Sequence, residues 1–204
     1  SETVGLARVY PIGALTQQLA GERLAELHGL ARAGCIAFSQ AKHPIVDTQL
    51  LLRAMQYAAT FGYAVRLRPQ CRFLAGDGVA HDGEVAARLG LTGIPVSAET
   101  VAIATSLLLA EETGVRLHLS RLSSAAGVRL VRQARRAGIG VSCDVAIHHI
   151  HLSEADIGYF DSNARFDPPL RAASDREALR AAVADGLAAN CSDHAPLGAD
   201  GKQL

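Results

Sequence analysis

Short apolar runs alternate with longer amphipathic segments along the whole chain. The apolar runs predict strands at residues 7–14, 35–38, 63–67, 115–119, 141–146 and 187–191. Segments in which apolar residues recur every three or four positions predict helices at residues 19–33, 46–61, 83–89, 97–113 and 123–137. Ser174 and Glu177 have the spacing of a capping box, which predicts a further helix ending at Asp185.

This alternation of about six strand–helix units predicts an α/β domain with a parallel sheet. The strands look apolar on both faces, as expected for strands covered by helices. A doubly wound sheet and a (β/α)8 barrel both fit, but the chain has no GxGxxG sequence after a first strand, which favours the barrel. No linker divides residues 1–204, so we predict a single domain. A complete barrel usually needs about 250 residues, and we therefore predict an incomplete one.

Composition and charge argue against several classes of function. Twenty basic residues balance twenty acidic ones and aromatic residues make up 4%, so neither a basic surface nor stacking residues favour nucleic-acid binding. The apolar stretches are too short to span a bilayer, and no signal-peptide pattern is visible. The four cysteines are spread singly, which favours free thiols in a cytoplasmic protein.

Polar residues at the ends of the predicted strands are the candidates for chemistry, because a barrel builds its active site there. Asp193 gives the sharpest signal, since it directly follows an apolar strand. A carboxylate in that position loses water and needs a cation or hydrogen-bond donors to offset the loss. It predicts a metal ligand or general base, and the cap of a following turn is an equally good interpretation.

Five segments, in order along nearly the whole chain, resemble signature segments of dihydroorotases, which belong to the amidohydrolase superfamily. They are Leu91–Pro95 with Ala98–Glu99 (LGLxGxPxxAE), Arg116–Ser123 (RxHICHVS), Asp144–His149 (EVTPHH), Asp167–Arg171 (NPPLR) and Ser192–Pro196 (TDHAP). The resemblance implies a (β/α)8 barrel of which this chain carries about strands three to eight. On the same resemblance, the first strand and its HxHxR metal motif lie upstream of Ser1.

The resemblance also implies a zinc pair that activates water against the ring amide of dihydroorotate, a step of pyrimidine biosynthesis. Three of the ligand positions that fall within this chain hold Ala41, Arg68 and Arg121. Zinc needs an electron pair from each ligand, which alanine lacks and a protonated arginine cannot give. Asp193 is the ligand position that remains, as a vestigial base or ligand. We therefore expect no metal cofactor and an ion pair from Arg68 or Arg121 to Asp193.

Two further positions depart from the family pattern. Asp167 stands where the resemblance expects the substrate-binding asparagine, and Leu197 stands where it expects a histidine. A rearranged zinc site stays open as an alternative, with four candidate ligands on neighbouring strands or just beyond them: Asp193, His118, His148 and Cys71.

Two functions therefore remain possible. The first, favoured by the lost ligands, is a noncatalytic dihydroorotase-like protein that supports the assembly of aspartate carbamoyltransferase, as degenerate homologues do. The second is an active zinc-dependent dihydroorotase, or a related cyclic amidohydrolase, that hydrolyses dihydroorotate to carbamoyl aspartate. An intact HxHxR motif upstream would favour the second. In either case we expect a homo- or hetero-oligomer, because an open barrel exposes its apolar edge strands.

Overall fold

The structure, a computed structural model, describes residues 8–195, and its centre is a parallel sheet of six strands. In spatial order these are β1 (Ile12–Ala14), β2 (Ala37–Ser39), β3 (Ala64–Leu67), β6 (Arg116–Leu119), β7 (Val141–Ala146) and β8 (Ala189–Cys191). Between β3 and β6 the chain forms a separate small sheet from β4 (Ala80–His81) and β5 (Gly93–Ile94). The small sheet was not predicted, because strands of two residues leave no periodicity to detect.

Helices follow the strands in the expected alternation. They are α1 (Leu27–Arg32), α2 (Thr48–Thr60), α3 (Arg72–Ala75), α4 (Glu84–Leu89), α5 (Val96–Thr113), α6 (Ala125–Arg136), α7 (Ile147–His151) and α8 (Ala173–Ala184). Local capping explains where two of them begin. Asp47 accepts a hydrogen bond from the amide of Gln49 at the start of α2, and Ser124 accepts one from Gly127 in α6. Among residues 8–195, no helix is long and apolar enough to cross a membrane.

The two faces of the six-stranded sheet differ in polarity. Alternate side chains such as Phe38, Val65 and Leu117 are buried against α1, α2, α5, α6 and α8 in one large core. The opposite face carries Arg66 and His118, which lie side by side in the strand register. The prediction that the strands are apolar on both faces is therefore wrong. Helices packed on one side of a parallel sheet are a feature of a barrel, whose interior the other side faces, so the incomplete-barrel prediction is confirmed.

Helix α1 is shorter than predicted. The expected helix from residue 19 begins only at Leu27, and residues Gln17–Leu19 form a single 3-10 turn instead. Leu19 and Gly21 have φ angles of 59° and 75°, which lie outside the right-handed helical region. The amphipathic pattern of the sequence thus begins before the helix, in a segment where the backbone forms a turn.

The predicted capping box at Ser174 is also wrong. Helix α8 has Ala172 at its N-cap, without a side-chain hydrogen bond, so Ser174 lies inside the first turn. The nearby Asp175 accepts a hydrogen bond of 2.8 Å from the amide of Ala125, at the start of α6. The carboxylate of Asp175 therefore connects the start of α8 to the start of α6.

Candidate functional site

A pocket of about 590 Å³ opens at the carboxyl ends of the strands. We call it the mouth pocket. Strand β3 contributes Arg66, and the segments that follow β2, β3, β6 and β8 contribute Lys42, Arg68, Arg121 and Asp193. The pocket lies where a barrel places its chemistry, and its charged lining is mainly cationic.

Arg121 and Asp193 form an ion pair inside this pocket. The Arg121 Nη1 atom lies 3.0 Å from Oδ1 and 3.1 Å from Oδ2 of Asp193. The two side chains are 20% and 23% exposed, so water screens the pair only partly. The expected ion pair is therefore present, and Arg121 is the arginine that forms it. The Arg121 guanidinium therefore binds the carboxylate of Asp193, which the resemblance assigns as a metal ligand.

Three of the positions that the resemblance assigns to ligands have left-handed backbone. Ala41, Arg121 and Asp193 have φ angles of 53°, 58° and 45°. Such angles cost free energy for residues other than glycine, and they persist where the surrounding fold requires a sharp turn. The mouth thus has abrupt turns after β2, β6 and β8, although Ala41 and Arg121 differ from the side chains of a zinc site.

Arg68 pairs with a different carboxylate from the expected one. Its Nη1 atom contacts Oδ1 of Asp167 as an ion pair whose geometry is not that of a hydrogen bond. The Arg68 side chain is 7% exposed, whereas that of Asp167 is 57% exposed. Among the described residues, no acceptor hydrogen-bonds to the buried Nε of Arg68. The substrate-contact position Asp167 therefore anchors an arginine, and the other such position, Leu197, lies outside the described residues.

Asp144 in β7 is a buried carboxylate that the sequence analysis did not single out. Its Oδ2 accepts hydrogen bonds from Arg66 Nη2 and His118 Nε2, both at 2.8 Å, and its Oδ1 accepts one from the amide of Arg121 at 2.6 Å. Burial would raise the pKa of Asp144, but the bonds from His118 and Arg121 and the charge of Arg66 hold it below its ordinary value. An aspartate within the apolar run 141–146 was the available signal.

The same carboxylate suppresses the reactivity of a neighbouring thiol. Cys191 Sγ donates to Oδ1 of Asp144 at 3.3 Å. Burial raises the pKa of Cys191 to about 12, and the charge of Asp144 adds to the effect. A thiolate is the form that attacks electrophiles, and a pKa this high keeps Cys191 as the unreactive thiol at neutral pH.

The candidate ligands of a rearranged zinc site do not converge. His118 uses both ring nitrogens, one on Asp144 and one on Ser142 Oγ at 2.8 Å. His148 stacks on Phe166 with 4.0 Å between ring centroids. Cys71 lines a separate pocket of about 210 Å³ rather than the mouth pocket. Within residues 8–195, no three His, Cys, Asp or Glu side chains are grouped to hold a metal, so the structure does not bring these four candidates together.

The two adjacent histidines after β7 have unprotonated rings at neutral pH. Burial lowers the pKa of His148, and the charge of Arg121 adds to this effect against the opposite pull of Asp193. Burial also lowers the pKa of His149 to about 3. The neutral ring of His149 donates through Nε2 to the carbonyl of Pro169 at 3.2 Å. It holds the loop near Asp167, which identifies a structural role.

A second buried charged cluster joins the small sheet to the main one. Glu99 in α5 accepts hydrogen bonds from the amide and the hydroxyl of Ser123. Arg171 donates to Ser123 Oγ at 3.2 Å and to the carbonyl of Ile94 at 2.6 Å, and its Nη1 lies 3.0 Å from His81 Nδ1. Burial raises the pKa of Glu99 against the lowering by Ser123 and Arg171. The cluster stabilises the fold around the mouth pocket.

Comparison with known proteins agrees with this architecture. A family model described as dihydro-orotase-like matches residues 2–126. A dihydroorotase-like protein of Pseudomonas aeruginosa is 48% identical over 97% of this chain and 47% of its own length. A dihydroorotase of Pelotomaculum thermopropionicum is 43% identical over 94% of this chain and 45% of its own length. The chain thus spans about half the length of the curated relatives that it matches.

Solved structures share the fold at lower identity. A D-hydantoinase from a Thermus species superposes with a TM-score of 0.73 at 20% identity, over 91% of this chain and 42% of that protein. The dihydroorotase of Saccharomyces cerevisiae gives a TM-score of 0.65 at 16% identity, over 94% of this chain and 54% of that protein. The matched family and the parallel barrel sheet lead to one assignment: the chain belongs to the dihydroorotase-like family of amidohydrolases.

Proposed function

We propose that this protein is a noncatalytic dihydroorotase-like protein that works without a metal cofactor and supports the assembly of aspartate carbamoyltransferase in pyrimidine biosynthesis. The observation that carries the proposal is the ion pair between Arg121 and Asp193 in the mouth pocket. On the resemblance, an active relative would present an imidazole and a metal-binding carboxylate at these two positions. Here a guanidinium contacts both oxygens of the carboxylate.

The residues of the mouth pocket do not fit a zinc pair. Asp193 is the sole carboxylate lining the pocket among the described residues, and its oxygens accept from Arg121. Arg66 and Arg68 add two further guanidinium groups, and Ala41 offers only a methyl group where the resemblance expects an oxygen donor. Dications prefer His, Cys and carboxylate ligands, and a permanent positive charge repels them. No catalytic step through a metal follows from this set of side chains.

The names of the relatives support the dihydroorotase-like part of the proposal. The two relatives that are 48% identical are both named dihydroorotase-like protein. Six relatives named dihydroorotase are 38–43% identical to this chain. The proposed partner rests on the resemblance to degenerate homologues, so it needs an experiment of its own.

The catalytic part of the proposal is tested on the full-length protein by metal analysis and a dihydroorotate hydrolysis assay, with an active dihydroorotase measured in parallel. We expect no bound zinc and no turnover above the uncatalysed rate. Bound zinc together with turnover would overturn the proposal and favour the active enzyme.

Two variants test whether the arginines exclude the metal. Arg68→His with Arg121→His restores two nitrogen donors, and should raise zinc uptake above that of the parent protein. Arg68→Gln with Arg121→Gln removes the same charges without adding good zinc ligands, and should leave zinc uptake low. Equal uptake by the two double variants would contradict the assigned role of these side chains.

The partner is tested by co-expression with aspartate carbamoyltransferase from the same organism. We expect the two proteins to co-purify as one complex and the transferase to change its sedimentation when this protein is omitted. A transferase that sediments identically with and without it would refute the assembly role.

A further inference from the structure

We propose that the mouth pocket binds a small metabolite through an oxyanion group, a carboxylate or a phosphate, held by Lys42, Arg66, Arg68 and Arg121. The inference rests on the proposed function in one respect: the pocket must be free of a metal pair. It goes beyond that function because it assigns a ligand-binding role to the mouth pocket.

The balance of charge in the pocket is the first argument. Four permanent cations line it, and each arginine has one carboxylate partner. Arg66 pairs with Asp144, Arg68 with Asp167 and Arg121 with Asp193. Lys42 is the fourth cation, so the lining and its partners together have an excess of positive charge. A concave surface with such an excess concentrates anions.

Unused hydrogen-bond donors are the second argument. Among the described residues, the hydrogen bonds of the Arg121 guanidinium all use Nη1, which leaves Nη2 and Nε for another acceptor. Arg66 uses Nε on Ser120 and Nη2 on Asp144, which leaves Nη1.

Arg68 provides the strongest case. Its side chain is more than nine-tenths buried, and its Nε has no hydrogen-bond partner within residues 8–195. Buried donors in folded proteins nearly always have acceptors. Because Nε is enclosed in this structure, a ligand oxygen would meet this requirement after a shift of the Arg68 side chain, which lines the mouth pocket.

The shape of the donors indicates the chemical class of the ligand. A guanidinium presents paired N–H groups in a plane, which match two oxygens of one carboxylate or phosphate. The volume of about 590 Å³ lies within the usual range for small-molecule sites. Leu19 and Ile12 form an apolar part of the wall, so the pocket can also take the uncharged body of a metabolite.

Calorimetric titration of the full-length protein tests the proposal, with inorganic phosphate and malonate as the probes and sodium chloride at matched ionic strength as the control. We expect at least one probe to bind with 1:1 stoichiometry where chloride does not. Binding of phosphate alone would identify a phosphate-bearing ligand, and binding of malonate alone a carboxylate-bearing one. No saturable binding of either probe would overturn the proposal.

Variants locate the binding and separate it from a general charge effect. Arg68→Gln removes the buried donor and should weaken binding by about tenfold or more. Lys42→Gln changes an exposed side chain, so it tests the pocket even where Arg68→Gln fails to fold, and should weaken binding about threefold. Arg132→Gln is the matched control, because Arg132 pairs with Asp185 outside the mouth pocket and should leave affinity unchanged.

The outcomes for the ligand and for the proposed function are distinguishable. Metal analysis of the same preparation decides whether zinc is present. A zinc-free protein that binds neither probe would refute the oxyanion site and leave the noncatalytic proposal intact. A zinc-loaded protein with turnover would refute the noncatalytic proposal. Equal affinities of Lys42→Gln, Arg132→Gln and the parent protein would refute the assignment of the site to the mouth pocket.

Discussion

Replacing Asp144 by asparagine should destabilise the protein more than any exposed change of the same type. The side chain of Asp144 is 6% exposed, and its Oδ2 accepts from Arg66 and His118. Asparagine keeps one oxygen, which can still accept from the Arg121 amide. Its nitrogen replaces Oδ2 and places a donor against the Arg66 guanidinium, which then lacks a counter-charge.

The magnitude follows from the exposure of the partners. Removing one member of a buried ion pair costs about 3–5 kcal/mol. Arg66 is 34% exposed, so water partly solvates the released charge and the expected loss is smaller. We expect a loss of roughly 2–3 kcal/mol, which corresponds to a fall of about 1 M in the urea midpoint of a protein of this size.

Urea denaturation followed by circular dichroism measures this loss. Asp185→Asn is the control, because Asp185 forms an ion pair of the same kind with Arg132 at 2.7 Å, but at the surface. We expect its midpoint to stay close to that of the parent protein. Equal shifts for the two variants would refute the argument that burial of the carboxylate determines the cost.

The dependence of this loss on pH follows from the lowered pKa of Asp144. The ordinary value is 3.8, and the folded value lies below it. The stabilisation is therefore complete above the ordinary pKa and is lost as the pH falls through the folded pKa. The difference between the parent protein and Asp144→Asn should be the same at about pH 5 and pH 8 and should shrink below about pH 4. A difference that grows on acidification would contradict this assignment.

Three further predictions concern buried groups. Arg171→Met removes the donors to the carbonyl of Ile94 and to Ser123 Oγ and should lower the free energy of unfolding by about 1–3 kcal/mol; an unchanged urea midpoint would contradict this. Gly127→Ala places a Cβ 2.4 Å from Glu99 Oε1 and should cost about 1–3 kcal/mol. At the exposed Gly29 of α1, where an added Cβ meets only the Glu26 side chain, Gly29→Ala should be neutral or stabilising by up to about 1 kcal/mol; urea denaturation compares the two variants. Because burial raises the pKa of Cys143 to about 11, its alkylation by iodoacetamide at about pH 8 should be slow and should accelerate in urea.

Much of the fold was predictable because local signals and burial agree. Helix α5 was expected at residues 97–113 and spans Val96–Thr113, and Gly114, with a φ of 68°, gives it a clear end. Strand β7 was expected at residues 141–146 and has those bounds, since its run of apolar residues is interrupted only by Ser142 and Asp144.

The details of the mouth pocket were less predictable because they depend on contacts between distant segments. The motifs identified Arg68, Arg121 and Asp193, but they did not determine which arginine contacts which carboxylate. That choice depends on the left-handed turns at Arg121 and Asp193 and on the loop that presents Asp167. Asp144 was missed because its partners Arg66 and His118 come from β3 and β6. The periodicity of the sequence does not reveal the register in which these strands and β7 lie side by side.

The position of Arg171 has a consequence for the way in which the protein opens. An isolated sheet of two short strands would fray readily in water. Here Ile94 of β5 gives its carbonyl to Arg171, which also holds Ser123 beyond β6. Detaching the small sheet would leave the buried guanidinium of Arg171 without its acceptor on Ile94. The free energy of this partial opening should therefore be close to that of global unfolding. The amide protons of β4 and β5 should therefore exchange with solvent deuterium almost as slowly as those of the central strands, as one cooperative unit.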